Sequence, residues 1–251
     1  MRPKSSDIIT EIEYTKERSA KELFEFFSQK EEERCAWSWE HSETKAIREI
    51  KYRELDKGLP KKFAHEFRPF AYYANTYYSN KPEVRFKPCC GSELYDGIII
   101  DNGNEIFVEI TNAIDGKIWG LQKELLTENG HSPWEHSIHG VKGNKTKRNR
   151  SPSDIIISNE AIRHSDVIHK SKISVKNVVL KKCIKSLGQT LPYGREKTIL
   201  IVTFDDTAVR PSRSKKDWDD FVDFKRTEID SMEHNFRKII LFGWLDKKFI
   251  S

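Results

Sequence analysis

The chain has 251 residues, 37% of them hydrophobic and 33% charged, a composition expected of a soluble globular protein with one large or two small domains. No apolar run nears the roughly 20 residues that span a bilayer, and the opening MRPKSSDIITEIEY has no apolar segment of the secretory type. Its net charge of +5, from 44 basic and 39 acidic side chains, permits a polyanionic partner without demanding one. The four cysteines, Cys35, Cys89, Cys90 and Cys183, show no CxxC zinc spacing, which points to structural thiols in a reduced, cytoplasmic setting.

Residues 7–33 are predicted helical, because Ile8, Ile9, Ile12, Leu23, Phe26 and Phe27 recur at helical spacing among Lys and Glu. Residues 33–43 interrupt that pattern with Trp37 and Trp39, side chains able to stack on bases but used more often in packing. A second helix is predicted over 42–56. A third, over 61–78, opens after Pro60 and should bend or divide at Pro69. Its apolar face of Phe63, Phe67, Phe70, Ala71, Ala74 and Tyr78 leaves Glu66 beside the stripe. Glu66 either pairs locally with Lys62 or Arg68 or points at a site. A short strand over 83–88 precedes a hairpin over 94–111, then come a helix over 117–127, a polar stretch over 128–153 and a strand over 154–158. Helix 171–187, strand 197–204, helix 215–234 and strand 238–245 complete the chain, the two strands being continuous apolar runs of the buried parallel kind. This order predicts the α/β class, a mixed central β-sheet flanked by helices, antiparallel first and crossover-linked later, with an N-terminal helical region over 1–59 and a core over 60–251.

The hairpin LYDGIII-DNGN-EIFVEIT carries Asn102-Gly103, the strongest short-range signal for a two-residue type I′ turn. With that pair as the loop, Ile99 faces Ile106, Gly97 faces Val108, and Asp96 falls opposite Glu109. Cross-strand neighbours lie about 4.5–5.5 Å apart at Cβ, where two carboxylates repel. Either the pair lies on a solvated face or a divalent cation offsets it, and Mg²⁺ prefers carboxylate oxygens. The flanking Ile, Val and Phe favour the cation.

The polar stretch 128–153 contains His131, His136 and His139 in a Gly/Ser/Pro-rich loop, without helical metal-ligand spacing. It then carries Lys142, Lys145, Lys147, Arg148 and Arg150 with no acid among them, either a solvated loop or an arm that contacts phosphates. In helix 171–187 one face centres on Ile173, Leu180, Cys183, Ile184 and Leu187, with Lys176 in its middle. Val175, Val178 and Val179 widen that stripe, and if they mark the buried side the inward lysine is Lys182. A lysine inside an apolar stripe must snorkel or meet a carboxylate.

Opposed carboxylates on a hairpin, a nearby lysine and an acid on a preceding helix resemble the PD-(D/E)XK nuclease superfamily. Asp96 in Tyr-Asp-Gly is similar to the first acid, Glu109 in Val-Glu-Ile-Thr to the second, and Glu66 to the acid of the first core helix; the likeness covers roughly 60–204. It departs from the pattern at Thr111, where the family carries the lysine of Glu-x-Lys, and in lacking a proline before Asp96. Some members supply the lysine from the following helix, which here implies Lys176 or Lys182. The resemblance implies a restriction-endonuclease-like core with an N-terminal helical extension and a Mg²⁺-dependent cleavage of DNA, RNA being the lesser alternative, or else a degenerate fold that binds without cutting. It implies Mg²⁺ held by Asp96, Glu109 and the carbonyl of Ile110, with Thr111 on a water ligand and Glu66 near a second ion. Cutting both strands of a duplex commonly uses two copies, so a homodimer is the expected assembly.

Overall fold

The computed structural model describes residues 9–40, 58–91, 93–133, 137–158, 164–189, 194–209 and 211–251. Its centre is a seven-stranded mixed sheet with order β1-β2-β3-β4-β7-β8-β9. The strands are β1 (Arg18–Ser19), β2 (Arg85–Pro88), β3 (Gly97–Asp101), β4 (Asn104–Ala113), β7 (Thr198–Phe204), β8 (Lys238–Gly243) and β9 (Phe249–Ile250). β4, β7 and β8 run parallel; the other neighbours pair antiparallel. A separate two-stranded sheet joins β5 (Ile138–Val141) to β6 (Ile155–Ile157).

The β3–β4 turn is as the sequence predicts. Asn102 and Gly103 take φ of 50° and 77°, the left-handed pair a type I′ turn needs, and the register runs from Asp101↔Asn104 to Gly97↔Val108. Alternation along β4 then sorts the two layers. Ile106, Val108 and Ile110 join a core with Ile199, Ile201, Ile240 and the helical residues Tyr14, Leu23, Phe27, Phe63, Phe67 and Phe70. Those belong to α1 (Glu11–Thr15), α2 (Ala20–Glu40), a π turn at Phe63–Phe67 that follows α3 (Gly58–Lys62), and α4 (Arg68–Tyr78). On the other face Ala113, Leu200, Val202 and Phe204 meet Val179 and Cys183 of α6 (His164–Leu187) and Phe221 and Phe224 of α7 (Lys215–Phe224). The N-terminal helices, expected as an extension, thus share one core with the sheet. α5 (Gly116–Asn129), capped by Asp115 and closed by Gly130 at φ 77°, carries Leu121 and Leu125 against Ile138 and Ile155 of the small sheet.

Several boundaries move. The helix predicted over 7–33 breaks at Lys16, where Arg18 donates to the carbonyls of Glu13 (2.6 Å) and Lys16 (2.8 Å) and starts β1. Ile12, expected in the core, is 84% exposed. α2 instead continues to Glu40, into the interruption predicted over 33–43. The helix predicted over 42–56, the side chains of Trp37 and Trp39, and His136 lie outside the described residues. The helix predicted over 61–78 carries a π turn just before Pro69 and continues through it, not dividing at the proline. Pro69 has no N–H to give the carbonyl of His65, and ahead of it the N–H of Arg68 bonds Phe63, five residues back. In α6 the valine side is the buried one: Val179 and Cys183 are fully buried, whereas Ile173 and Ile184 are 47% and 54% exposed.

Candidate active site

The expected direct opposition of Asp96 and Glu109 is corrected by one residue of irregular pairing. The N–H of Asp96 donates to the carbonyl of Val108 at 2.8 Å, the residue already paired with Gly97. Two residues of one strand therefore address one residue of the other, the pattern of a β-bulge, which re-aims side chains beside it. Asp96 turns toward the layer of α3 and α4, and its Oδ2 accepts the N–H of Ile110 at 2.7 Å. Glu109, flanked by Val108 and Ile110, points to the other face by alternation.

Gly97 lets Phe70 pack against the strand beside the bulge. A Cβ there would lie 2.8 Å from the ring of Phe70, so the helix seats its phenylalanine directly on the strand backbone. Glu66, one turn before Phe70, is thereby brought onto Asp96, and the two carboxyl groups hydrogen-bond. Burial and the Asp96 charge push Glu66 up to about 7, against the pull of Lys62. Burial also raises Asp96, opposed by the Ile110 N–H and by Lys62. One shared proton, carried by Glu66 and donated to Asp96, fits both directions. Burial followed by the Asp96 charge likewise pushes Glu109 up to about 7, Arg195 opposing. Oε2 of Glu66 and Oε2 of Glu109 are buried without a hydrogen-bond partner, and the buried hydroxyl of Tyr14 feels both Glu66 and Asp96.

Glu66 does pair locally, with Lys62 Nζ 3.6 Å from its Oε2, and its carboxyl also meets Asp96. The lysines expected from α6 go elsewhere. Lys176 donates to the carbonyl of Asp220 at 3.4 Å and sits 5.4 Å over the ring of Phe224, facing α7 and not the carboxylates. Lys182 is on the buried valine side, its pKa lowered by desolvation and then by Lys185, with no carboxylate acting on it. The cation beside the acids is Lys62, four residues before Glu66 on the helix. Sequence reasoning named it only as a local partner; its i,i+4 spacing was the available signal. Thr111 stands in β4 opposite Val202, and its carbonyl accepts from the hydroxyl of Thr203 at 3.5 Å.

The basic arm is the β5–β6 connection. Arg150 pairs with Glu124 of α5 at 2.5 Å and Lys145 with Asp154 at 2.8 Å; Lys142 reaches the carbonyl of Ser153 at 3.4 Å. Lys147 and Arg148 are exposed at its tip.

No family model, curated protein or solved structure matches this chain. What the site can hold follows from its own chemistry. Among the described residues no three His, Cys, Asp or Glu side chains stand together as a ready metal cage. The donors nevertheless suit a hard cation that keeps much of its water and takes one or two carboxylates. Glu109 Oε2 has no hydrogen-bond partner, Glu66 Oε2 has only the ion pair with Lys62, and the raised acids mark a crowding of carboxyl groups at this end of the hairpin. Ile110 adds a third donor: N–H and C=O of one strand residue point the same way, and its N–H points at Asp96.

Proposed function

We propose that the protein is a Mg²⁺-dependent endonuclease that hydrolyses DNA phosphodiesters, built on a restriction-endonuclease-like core. The observation that carries this reading is the half-buried trio Glu66, Asp96 and Glu109 at the bulged end of a hairpin, where burial raises all three and the Asp96 charge raises both glutamates further. The arrangement of an antiparallel hairpin, a crossover helix and a parallel strand agrees with it. Asp96 and the Ile110 carbonyl would hold the ion, with Glu109 turning from the other face of β4 to complete the set; the ion supplies charge for the phosphate and acidifies a water when bound. Glu66, near neutrality, would take or return a proton. Lys62 would balance charge developing on the phosphate, in the place the family gives to the lysine of Glu-x-Lys. Lys147 and Arg148 would hold flanking phosphates.

The test is nicking or linearisation of plasmid with Mg²⁺ and with EDTA, run beside Asp96→Asn. Metal-dependent cleavage by the native chain and none by the variant is expected; equal cleavage by both overturns the assignment. A second reading, a DNA-binding protein that has lost cleavage, is favoured by Thr111 and by the absence of Lys176 and Lys182 from the acids. It requires DNA retention without cleavage in the same assay. Cleavage of RNA alone would move the substrate class.

A further inference from the structure

A cavity of about 560 Å³ opens at the carboxyl ends of the three parallel strands. Asn112 and Ala113 end β4, Asp205 and Thr207 follow β7, and Trp244 follows β8. Parallel strands present their ligand crevices at this end, and the volume falls in the range of small-molecule sites, about 300–1,000 Å³. α5 and α6 form its walls, and His65, the neighbour of Glu66, reaches it from the π turn.

Its surface has aromatic planes and uncharged hydrogen-bonding groups. Trp244 is fixed by the ring of His65 at 5.5 Å and the guanidinium of Arg68 at 5.1 Å, Arg68 being ion-paired to Glu31. Trp119 is 38% exposed. The amide oxygen of Asn112 accepts from the hydroxyl of Thr203, which leaves its NH₂ as a donor. The amide NH₂ of Gln122 donates to the carbonyl of Pro133 at 3.4 Å, which leaves its oxygen as an acceptor. Both acids of the lining are engaged: Asp115 caps α5 through the N–H groups of Lys117 and Ile118, and Asp205 accepts from Thr207. Among the described residues no lysine or arginine lines the cavity. Cations stand outside it instead, with Lys123 5.9 Å over Trp119 and the basic arm tied to the same helix by Arg150–Glu124.

We propose that this cavity receives a single nucleobase, with its sugar-phosphate left at the mouth. A flat ligand suits the indoles, a donor and an acceptor on fixed amides suit a base edge, and an interior without cations excludes the phosphate. The proposal rests on the nuclease reading for one source of that base, a nucleotide splayed from a strand; a free nucleotide offers the same chemistry.

The test uses the full chain in EDTA, so that no cleavage intervenes. One arm titrates each deoxynucleoside monophosphate against tryptophan fluorescence. The other titrates a single-stranded oligonucleotide bearing one 2-aminopurine and follows its emission. Saturable change in either arm, weakened about tenfold or more in Trp119→Ala as expected when a stacking partner is removed, supports the base site; the responding arm identifies the source. Val175→Phe, which fills the cavity from α6, should weaken binding similarly, and Asn112→Asp should alter the preference among bases. Unchanged binding in Trp119→Ala and Val175→Phe, or no saturable change in either arm, overturns the proposal even if plasmid is cleaved. Base binding without Mg²⁺-dependent cleavage would instead count against the nuclease reading alone.

Discussion

The carboxyl groups of Glu66 and Asp96 meet across the π turn and the bulged end of β3, the Asp96 charge raising Glu66. Glu66 and Glu109 hold their protons to about 7 in the fold, against 4.5 for an ordinary glutamate. Between those values the folded state binds more protons than the unfolded one, so stability falls as pH rises through that window. Melting in EDTA should therefore occur at higher temperature at pH 5.5 than at pH 8, and the difference should shrink in Glu66→Gln and Glu109→Gln. A pH-independent melting temperature would remove the buried-acid description.

Metal uptake should show the opposite slope. An ion needs the deprotonated acids and releases their protons, so Mg²⁺ affinity should weaken as pH falls through about 7. Calorimetry at pH 6 and pH 8 in buffers of different ionisation enthalpy reads both the affinity and the protons released.

Substitutions at the two hairpin acids should differ in stability while both stop cleavage. Asp96 Oδ2 accepts the buried N–H of Ile110, so Asp96→Ala should lose about 1–3 kcal/mol, whereas Asp96→Asn keeps an acceptor and should fold like the native chain. Glu109 Oε2 has no partner, so Glu109→Gln should hold or raise stability. Equal denaturation midpoints for Asp96→Ala and Asp96→Asn would place Ile110 outside this interaction.

Lys62 is expected to matter where Lys176 does not. Lys62→Met removes the ammonium that lowers both Glu66 and Asp96, so turnover should drop and the rising limb of its pH profile should move to higher pH. Lys176→Met, on the α7 side, should leave turnover and its pH profile unchanged. The reverse pattern would return the catalytic cation to α6.

In the basic arm the residues should separate by role. Lys147→Gln and Arg148→Gln, at the exposed tip, should each lower the log–log salt slope of DNA binding by about 0.9 for every phosphate left without its cation. Arg150→Gln removes the pair with Glu124 and should loosen the β5–β6 hairpin, seen as faster amide exchange there.

The hairpin was legible because Asn-Gly sets turn and register together, and the parallel strands because seven buried positions in a row leave no other reading of 198–204. Asp96, Glu109 and Glu66 were found by that register and by the misfit of a carboxylate beside an apolar stripe. The bulge was not legible, nor was the seat of Phe70 on Gly97 beside it, a meeting of two segments that no local pattern encodes. The facing of α6 was misjudged for a related reason: apolar residues surround that helix, and only the sheet decides that Val179 and Cys183 go inward while Ile173 and Ile184 stay out.

The π turn at Phe63–Phe67 has a consequence for how this chain tolerates length changes. It accommodates one residue more per turn than an α-helix, so deleting a single residue, such as Ala64, would let the segment relax to ordinary winding. The turns on either side would stay in phase, so Lys62 would still face the acids and α4 would keep its seat on the sheet, whereas a residue deleted from α4 would rotate everything before it by about 100° about the helix axis. The π turn is therefore the place in this helix where a one-codon deletion should be absorbed, seen as a melting temperature closer to the native chain's than that of a one-residue deletion in α4.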